Sequence, residues 1–156
     1  MKTIPTRIQG VCLIPLDTFE DNRGEFVETY NHDSYEGTDI RFIQDDISHS
    51  KRNVLRGIHC DSKTYKLITC IHGKIQFVVV DILNNRHQSF ILEPYTQILV
   101  PPGIGCAHLV LSKEAIISYK QNTYYDVNIQ FSYKWDDKSL KIKWLCNKPI
   151  LSKRDS

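Results

Sequence analysis

The sequence predicts an all-β protein, an antiparallel sandwich or barrel of the jelly-roll type. Two observations support this prediction. Short runs rich in Ile, Val, Phe and Tyr recur along the chain, and residues that favour turns separate them at regular intervals. Helical periodicity is almost absent. Because 156 residues can bury a core and no repeat or linker divides them, we expect one domain over residues 1–156.

The predicted elements follow from these patterns in chain order. Strands are expected at residues 41–44, 66–71, 75–82, 89–92, 97–100 and 116–119. Turns are expected at His72-Gly73-Lys74, Asn84-Asn85 and Pro101-Pro102-Gly103, because Gly, Asn and Pro favour the backbone angles of tight turns. Helix should be limited to single turns near residues 33–35 and 137–140.

Charge and cysteine content narrow the classes of function. The 20 Lys and Arg residues exceed the 18 Asp and Glu residues by only two, which suits a small anionic ligand better than a nucleic acid. The five cysteines form no CxxC pair, so we expect reduced thiols and neither a disulfide framework nor a zinc site. Without an apolar leader or spanning segment, the sequence favours a cytoplasmic protein that binds no membrane.

A histidine, a lysine and a tyrosine are the candidates for chemistry. His59 ends the segment Leu55-Arg56-Gly57-Ile58-His59, Lys66 follows seven residues later, and Tyr119 lies far downstream. Histidine can remove a proton beside a ketone, lysine can stabilise the resulting oxyanion, and tyrosine can return a proton from the opposite side. His108 follows a Pro-Pro-Gly connection that would return it to the barrel. For each of the two histidines, a structural role in the core is about as good an interpretation as a functional one.

A series of short motifs extends from about residue 5 to the end of the chain. They are Asp21-Asn22-Arg23-Gly24-Glu25-Phe26, Phe42-Ile43-Gln44-Asp45, Asn53-Val54-Leu55-Arg56-Gly57-Ile58-His59, Pro101-Pro102-Gly103, Ala107-His108, Ser118-Tyr119-Lys120, Trp135-Asp136-Asp137 and Pro149-Ile150-Leu151-Ser152-Lys153-Arg154-Asp155. Together these motifs resemble the dTDP-4-dehydrorhamnose 3,5-epimerase family of cupins. The resemblance implies a cupin jelly-roll barrel that uses neither metal nor cofactor and epimerises carbon next to the C4 ketone of a nucleotide-linked sugar.

The resemblance also implies a role for each catalytic candidate. His59 aligns with the base, and Asp155 aligns with the carboxylate that orients the base and stabilises its imidazolium form. Tyr119 aligns with the acid on the other face of the sugar, and Lys66 aligns with the lysine near the C4 oxygen. Asp155 lies one residue from the end of the sequence, where chains fray unless they are tied down.

Further residues are expected to bind the substrate by the same resemblance. They are Arg23, Phe26, Gln44, Arg56 and His108. The two arginines are assigned to the pyrophosphate because a planar guanidinium suits phosphate oxygens; ion pairs with neighbouring aspartates such as Asp21 are the alternative. Family members are homodimers whose N-terminal strands cross over, so Arg23 is expected to serve the partner's site.

Departures from the family pattern bear on the substrate. Asp46-Ile47 and Cys60-Asp61 stand where the family often has other residues, which favours a different base-recognition pocket. Residues 59–67, 78–81 and 112–115 resemble the branch that acts on GDP-4-keto-heptoses in capsule heptose pathways. A GDP-4-keto-heptose is therefore the favoured substrate and a dTDP-4-keto-6-deoxyhexose the next. Inversion at C3, at C5 or at both stays open.

Other functions on a similar barrel are the alternatives. One is an epimerase of C3 only, and another is a 3,4-ketoisomerase, which would move the carbonyl. A metal-dependent cupin would need converging histidines and a carboxylate, but the chain has His59-Cys60-Asp61 where a His-x-His pair would be expected. A sugar-nucleotide-binding protein without activity would have lost His59, Lys66 or Tyr119, and all three are present.

Overall fold

The structure, a computed structural model, describes residues 2–35 and 38–156. Met1, Glu36 and Gly37 belong to the predicted domain 1–156 but lie outside the described residues. Within the described ranges the chain forms thirteen strands: β1 (Ile4–Pro5), β2 (Cys12–Pro15), β3 (Thr18–Asp21), β4 (Gly24–Val27), β5 (Gln44–Lys51), β6 (Leu55–Asp61), β7 (Lys66–His72), β8 (Ile75–Asp81), β9 (Arg86–Leu92), β10 (Thr96–Val100), β11 (Ile104–Val110), β12 (Glu114–Gln121) and β13 (Gln130–Ser132). Single 3₁₀ turns occupy His32–Tyr35 and Val127–Ile129.

Two antiparallel sheets enclose the core. The larger sheet has the strand order β1-β2-β10-β7-β12-β5, the smaller has the order β13-β6-β11-β8-β9, and β3 and β4 form a separate hairpin. Apolar side chains of both sheets meet between them, among them Ile98 and Ile117 of the larger sheet and Phe77 and Val79 of the smaller. Burial of one such side chain contributes about 1.5–3 kcal/mol. The predicted all-β jelly-roll class is confirmed.

Most predicted strands and turns are present. The apolar runs correspond to β7, β8, β9, β10 and β12, and the predicted turn at residues 72–74 joins β7 to β8. The helical turn expected near residues 33–35 is the 3₁₀ turn His32–Tyr35. Within the described residues, no helix is long and apolar enough to span a membrane.

Two predicted elements are wrong. The strand expected at residues 41–44 begins only at Gln44 and continues to Lys51, because backbone pairing with β12 and not apolar content defines it. Residues 137–140 form turns and no helix. The Asp137 carboxylate accepts hydrogen bonds from the backbone N–H and the hydroxyl of Ser139, a local arrangement that competes with helix propagation.

Candidate active site

A cavity of about 320 Å³ opens between the two sheets. Residues from strands β5, β6, β7, β8, β11, β12 and β13, and from two segments that follow β12, line it. The lining residues are Ser48, Arg56, His59, Lys66, Ile68, Phe77, Cys106, Ala107, His108, Ile117, Tyr119, Gln121, Tyr125, Gln130, Ser152, Arg154 and Asp155. The structure therefore brings the four predicted catalytic residues, His59, Lys66, Tyr119 and Asp155, into one cavity.

The larger sheet supplies Tyr119 through the alternation of strand β12. Ile117, Tyr119 and Gln121 are spaced two residues apart and all line the cavity, as residues on one face of a strand must. Lys66, at the first position of β7, is beside them because it pairs with Gln121 in the sheet. His59 comes from the smaller sheet. The cavity thus receives His59 and Tyr119 from opposite walls.

Strand β6 reaches the cavity through a β-bulge. Cys106 of β11 pairs with His59, and His108 pairs with Arg56. Between these two pairs β6 has one residue more than β11. The extra residue lets Arg56 and His59, three positions apart, both line the cavity. Gly57 lies between them with φ +116°, and a Cβ atom there would be 2.6 Å from the Cys106 carbonyl oxygen. Only glycine fits this position without displacing β11.

The C-terminal segment brings the Asp155 carboxylate to His59. Ile150 donates its N–H to the Asn53 carbonyl at 2.8 Å, and its own carbonyl accepts the N–H of Leu55 at 3.0 Å, which ties the segment to β6. His59 Nε2 lies 2.7 Å from Asp155 Oδ1. The Ser152 hydroxyl donates to Asp155 Oδ2 at 2.9 Å. Asp155 is therefore buried and held on both carboxylate oxygens.

Burial shifts the pKa values of His59 and Tyr119 in opposite directions. Burial lowers the pKa of His59. The hydrogen bond to Asp155 raises this pKa, but burial has the larger effect. His59 is therefore neutral near pH 7; with the proton on Nε2 toward Asp155, the lone pair is on Nδ1. Burial raises the pKa of Tyr119, so the phenol keeps its proton. Near pH 7 the cavity therefore holds a neutral imidazole, which can accept a proton, and a protonated phenol, which can donate one.

Lys66 lines the cavity and forms an ion pair with Asp61. Its Nζ lies 3.1 Å from Asp61 Oδ2, with 10% of the lysine side chain and 1% of the aspartate side chain exposed. An ammonium group that is shielded from solvent can stabilise an oxyanion more strongly than it could in water, because the effective dielectric constant around it is lower.

Two of the predicted binding residues line the cavity, and a third adjoins it. Arg56 lies at the rim, where its Nε donates to the Ser50 hydroxyl at 3.0 Å. Burial lowers the pKa of His108 to about 3, and its buried Nε2 has no hydrogen-bond partner within residues 2–35 and 38–156. Gln44 adjoins the cavity: its Oε1 accepts the N–H of Tyr125, a lining residue, at 2.8 Å.

Arg23 and Phe26 lie apart from this cavity. Both are on the β3–β4 hairpin, where Phe26 is 67% exposed. The Arg23 guanidinium pairs with Asp21 at 2.6 Å, which is the alternative interpretation that the sequence left open. Within the chain itself these two residues do not join the four catalytic candidates.

Several lining residues were not predicted. They are Ser48, Gln121, Tyr125, Gln130, Ser152 and Arg154, together with apolar wall residues. Gln121 could have been found from its spacing of two from Tyr119, and Arg154 from its position next to Asp155. Gln130 carries no comparable signal, because only the pairing of β13 with β6 brings it to the cavity. In the described part of the chain, no group of three His, Cys, Asp or Glu residues is arranged to hold a metal ion.

Comparison with known proteins gives a consistent result. The family model for dTDP-4-dehydrorhamnose 3,5-epimerase matches residues 5–156. The dTDP-4-dehydrorhamnose 3,5-epimerase of Shigella flexneri is 33% identical, over 99% of this chain and 93% of its own. A dTDP-4-dehydrorhamnose 3-epimerase of Streptomyces niveus is 30% identical, over 99% of this chain and 81% of its own. The crystal structure of a dTDP-6-deoxy-D-glucose-3,5-epimerase from Legionella pneumophila, in complex with dTDP-4-keto-L-rhamnose, has a TM-score of 0.92 at 32% identity, covering 99% of this chain and 89% of that one.

The fold, the acid–base site and these similarities together define the class. The protein is a cupin-type epimerase built on a jelly-roll barrel. More particularly, the chain belongs to the dTDP-4-dehydrorhamnose 3,5-epimerase family.

Proposed function

We propose that this protein inverts C3, C5 or both in a nucleotide-diphospho-4-keto sugar. The observation that carries the proposal is the cavity in which the His59–Asp155 pair faces Tyr119 from the opposite sheet. His59 removes the proton from carbon beside the ketone, and Asp155 stabilises the imidazolium that forms. The negative charge moves to the C4 oxygen, where Lys66 stabilises it. Tyr119 then returns a proton from the other face, which inverts the carbon.

The charged residues at the rim of the cavity support the proposal of a phosphate-linked substrate. Arg56 and Arg154 line it, and the hydrogen bonds of both guanidinium groups in the described structure go to uncharged partners. Guanidinium groups without a carboxylate partner suit the oxygens of a pyrophosphate. The neutral His108 and the amide of Gln121 offer polar contacts to sugar hydroxyls deeper inside.

For the nucleotide and the sugar, we propose a GDP-4-keto-heptose, with a dTDP-4-keto-6-deoxyhexose as the second candidate. The resemblance of residues 59–67, 78–81 and 112–115 to that branch supports the first, together with the departures Asp46-Ile47 and Cys60-Asp61. The names of the relatives support the second. Either product would be a precursor for capsule or another surface polysaccharide. At identities near one third, the nucleotide pocket can differ while the catalytic residues are kept.

Proton exchange in heavy water tests the reaction. The protein is incubated with GDP- and dTDP-linked 4-keto sugars, and deuterium at C3 and C5 is counted by mass spectrometry and NMR. We expect incorporation, faster with the preferred nucleotide, and a loss of about 10²- to 10⁴-fold in His59→Asn because the general base is removed. One deuterium would indicate one reacting carbon, and two would indicate both.

Each other function on this barrel gives a different result in the same experiment. A product with its ketone at C3 would identify a 3,4-ketoisomerase. Activity that a chelator removes would identify a metal-dependent enzyme. Binding of either sugar nucleotide without any deuterium incorporation would identify a binding protein. Unchanged exchange in His59→Asn would contradict the role of His59.

We also propose that the protein is a homodimer in which the β3–β4 hairpin reaches the partner's cavity. The exposed Phe19 and Phe26 of this hairpin, 63% and 67% exposed, support a buried position in an assembly. Sedimentation should report two chains per particle. Co-expressed Arg23→Ala and His59→Asn chains should regain up to about a quarter of wild-type activity, because half of the dimers are mixed and each has one complete site. If Arg23 served its own chain, mixing would restore nothing.

A further inference from the structure

The buried pair of Lys66 and Asp61 differs from the other lysine and arginine ion pairs in the described part of the chain. In those pairs at least one partner is substantially exposed, as Asp45 is in its pair with Lys120. Lys66 and Asp61 are both buried, and Lys66 lines the cavity. Removing two charges from water costs several kcal/mol per ion, so such a pair is weak evidence for stability and calls for another role.

Asp61 is fixed before it meets the lysine. Its Oδ1 accepts the backbone N–H groups of Lys63 at 3.1 Å and Thr64 at 2.6 Å. These bonds close the turn between β6 and β7 and leave Oδ2 for Lys66 Nζ. The carboxylate is therefore anchored to the main chain, while the lysine side chain, with four rotatable bonds, is the part that needs a fixed position.

Asp61 is also the negative charge that faces Lys66 near neutral pH. The other titratable groups that act on Lys66 or are acted on by it come from β6, β11 and β12: His59, Cys60, Cys106 and Tyr119. Burial raises the pKa of Cys60 to about 12, raises the pKa of Cys106, and raises that of Tyr119. Near pH 7 these three groups and His59 are therefore neutral, whereas Asp61 is ionised.

The protonation state of the pair follows from these surroundings. Burial lowers the pKa of Lys66, but the attraction of Cys106 and Asp61 outweighs burial and the pKa is raised. Because Cys106 stays a thiol near pH 7, Asp61 supplies the attraction at that pH. Burial in turn raises the pKa of Asp61, and the charge of Lys66 and the bonds from Thr64 outweigh it, so that pKa is lowered. Both members are charged near neutral pH.

We propose that Asp61 is a positioning residue of the active site, which holds Lys66 as a fixed ammonium group at the cavity wall. Lys66 then stabilises negative charge on the substrate and takes no part in proton transfer, which is left to His59 and Tyr119. One ammonium proton is donated to Asp61, and the others are available to the substrate oxygen. This inference rests on the proposed function, in which Lys66 faces the C4 oxygen.

Titration of Lys66 in the wild-type protein is the first test, and it is independent of activity. The Lys66 side chain is followed by ¹³C NMR of its Cε, assigned by its absence in Lys66→Met. We expect Lys66 to stay protonated beyond the usual lysine value of about 10.4. Deprotonation of Lys66 below that value would overturn the proposal.

The second test is Asp61→Asn, which removes the charge and keeps the size. The pKa of Lys66 should fall by at least about one unit, because an opposite charge at this distance shifts a pKa by roughly 1–3 units. In the pH profile of kcat/KM for deuterium exchange, a basic limb should move to lower pH by the same amount. Asp61→Glu should restore part of the wild-type limb. Asp45→Asn, which removes the aspartate of the exposed Lys120 pair, is the matched control and should leave the limb in place.

The outcomes separate this proposal from the proposed function. An exchange-active protein whose basic limb is the same in Asp61→Asn and in wild type would contradict the role of Asp61 alone. A protein without exchange on any 4-keto sugar would contradict the proposed function, and the NMR titration would still decide whether Asp61 holds Lys66 in its charged form. If Asp61→Asn does not fold, the wild-type titration alone decides.

Discussion

A base and an acid can invert a carbon only if both are in the right protonation state at the same pH. His59 and Tyr119 meet this condition because burial acts on them in opposite chemical senses: it lowers the pKa of the imidazolium and raises that of the phenol. The hydrogen bond to Asp155 partly offsets the lowering of the His59 pKa, and it fixes which ring nitrogen carries the proton. Environments that separate the two protonation equilibria are a recurring device in enzymes that use acid–base pairs.

Replacing Tyr119 by Phe tests the division of labour between these two residues. The phenol is lost and the ring that packs in the cavity is kept. We expect deuterium exchange through His59 to stay within about tenfold of wild type, whereas formation of the inverted sugar should fall by about 10²- to 10⁴-fold. The ratio of deuterium incorporated to epimer formed, measured by NMR, checks this.

A tyrosine outside the cavity provides the control for that change. Tyr133 packs against an apolar cluster that includes Ile58 and Leu140, and it does not line the cavity. Tyr133→Phe should therefore keep the wild-type ratio. Undiminished inversion in Tyr119→Phe would remove Tyr119 from the acid role and direct attention to Tyr125, the other tyrosine of the lining.

At the level of elements, strand β6 determines the geometry of the site. Its bulge turns both Arg56 and His59 toward the cavity, and its edge receives both β13 and the C-terminal segment that carries Asp155. A regular strand would place residues three apart on opposite faces. The Arg-Gly-Ile-His segment therefore has a structural role besides the catalytic role proposed for His59, since Gly57 permits the close approach of β11.

The sequence predicted those elements whose apolar residues recur with a strand-like pattern. Strands β7, β8 and β10 are rich in Ile, Leu and Val and were found, whereas β5 is polar and β6 and β11 contain glycine, histidine and cysteine at buried or half-buried positions. Those three are strands because of pairing partners far away in the chain, which local composition does not report. The bulge in β6 is invisible for the same reason.

The candidate site was predictable only through the resemblance of motifs. Physical reasoning on residues alone proposed His59, Lys66 and Tyr119 but left structural roles open. Asp155 is 96 residues from His59, and only the docking of the C-terminal segment on β6 brings the two together. The Asp61–Lys66 pair was not anticipated, because four residues separate β6 from β7 and their composition does not indicate how that turn folds.

For the molecule as a whole, the half-buried His108, whose Nε2 atom is fully buried, links the cavity to acid stability. Its pKa is lowered to about 3 by burial, with Arg56 and His59 acting in the same direction. The unfolded chain has an ordinary histidine pKa of about 6.5 and binds a proton below it, while the folded protein does not until about pH 3. Stability must therefore fall as the pH falls through this window.

Replacing His108 by Gln should remove this dependence. One unit of pKa difference corresponds to about 1.4 kcal/mol, so the loss of unfolding free energy between pH 7 and pH 4 should be smaller in His108→Gln by up to about 3 kcal/mol. The lowered pKa of His59 leaves a part of the loss in both proteins. Urea unfolding at the two pH values and one protein concentration, followed by tryptophan fluorescence, measures the difference. His72→Gln, which removes an exposed histidine, should behave as wild type, and a loss in His108→Gln as large as that of wild type would show that His108 is protonated in the folded protein.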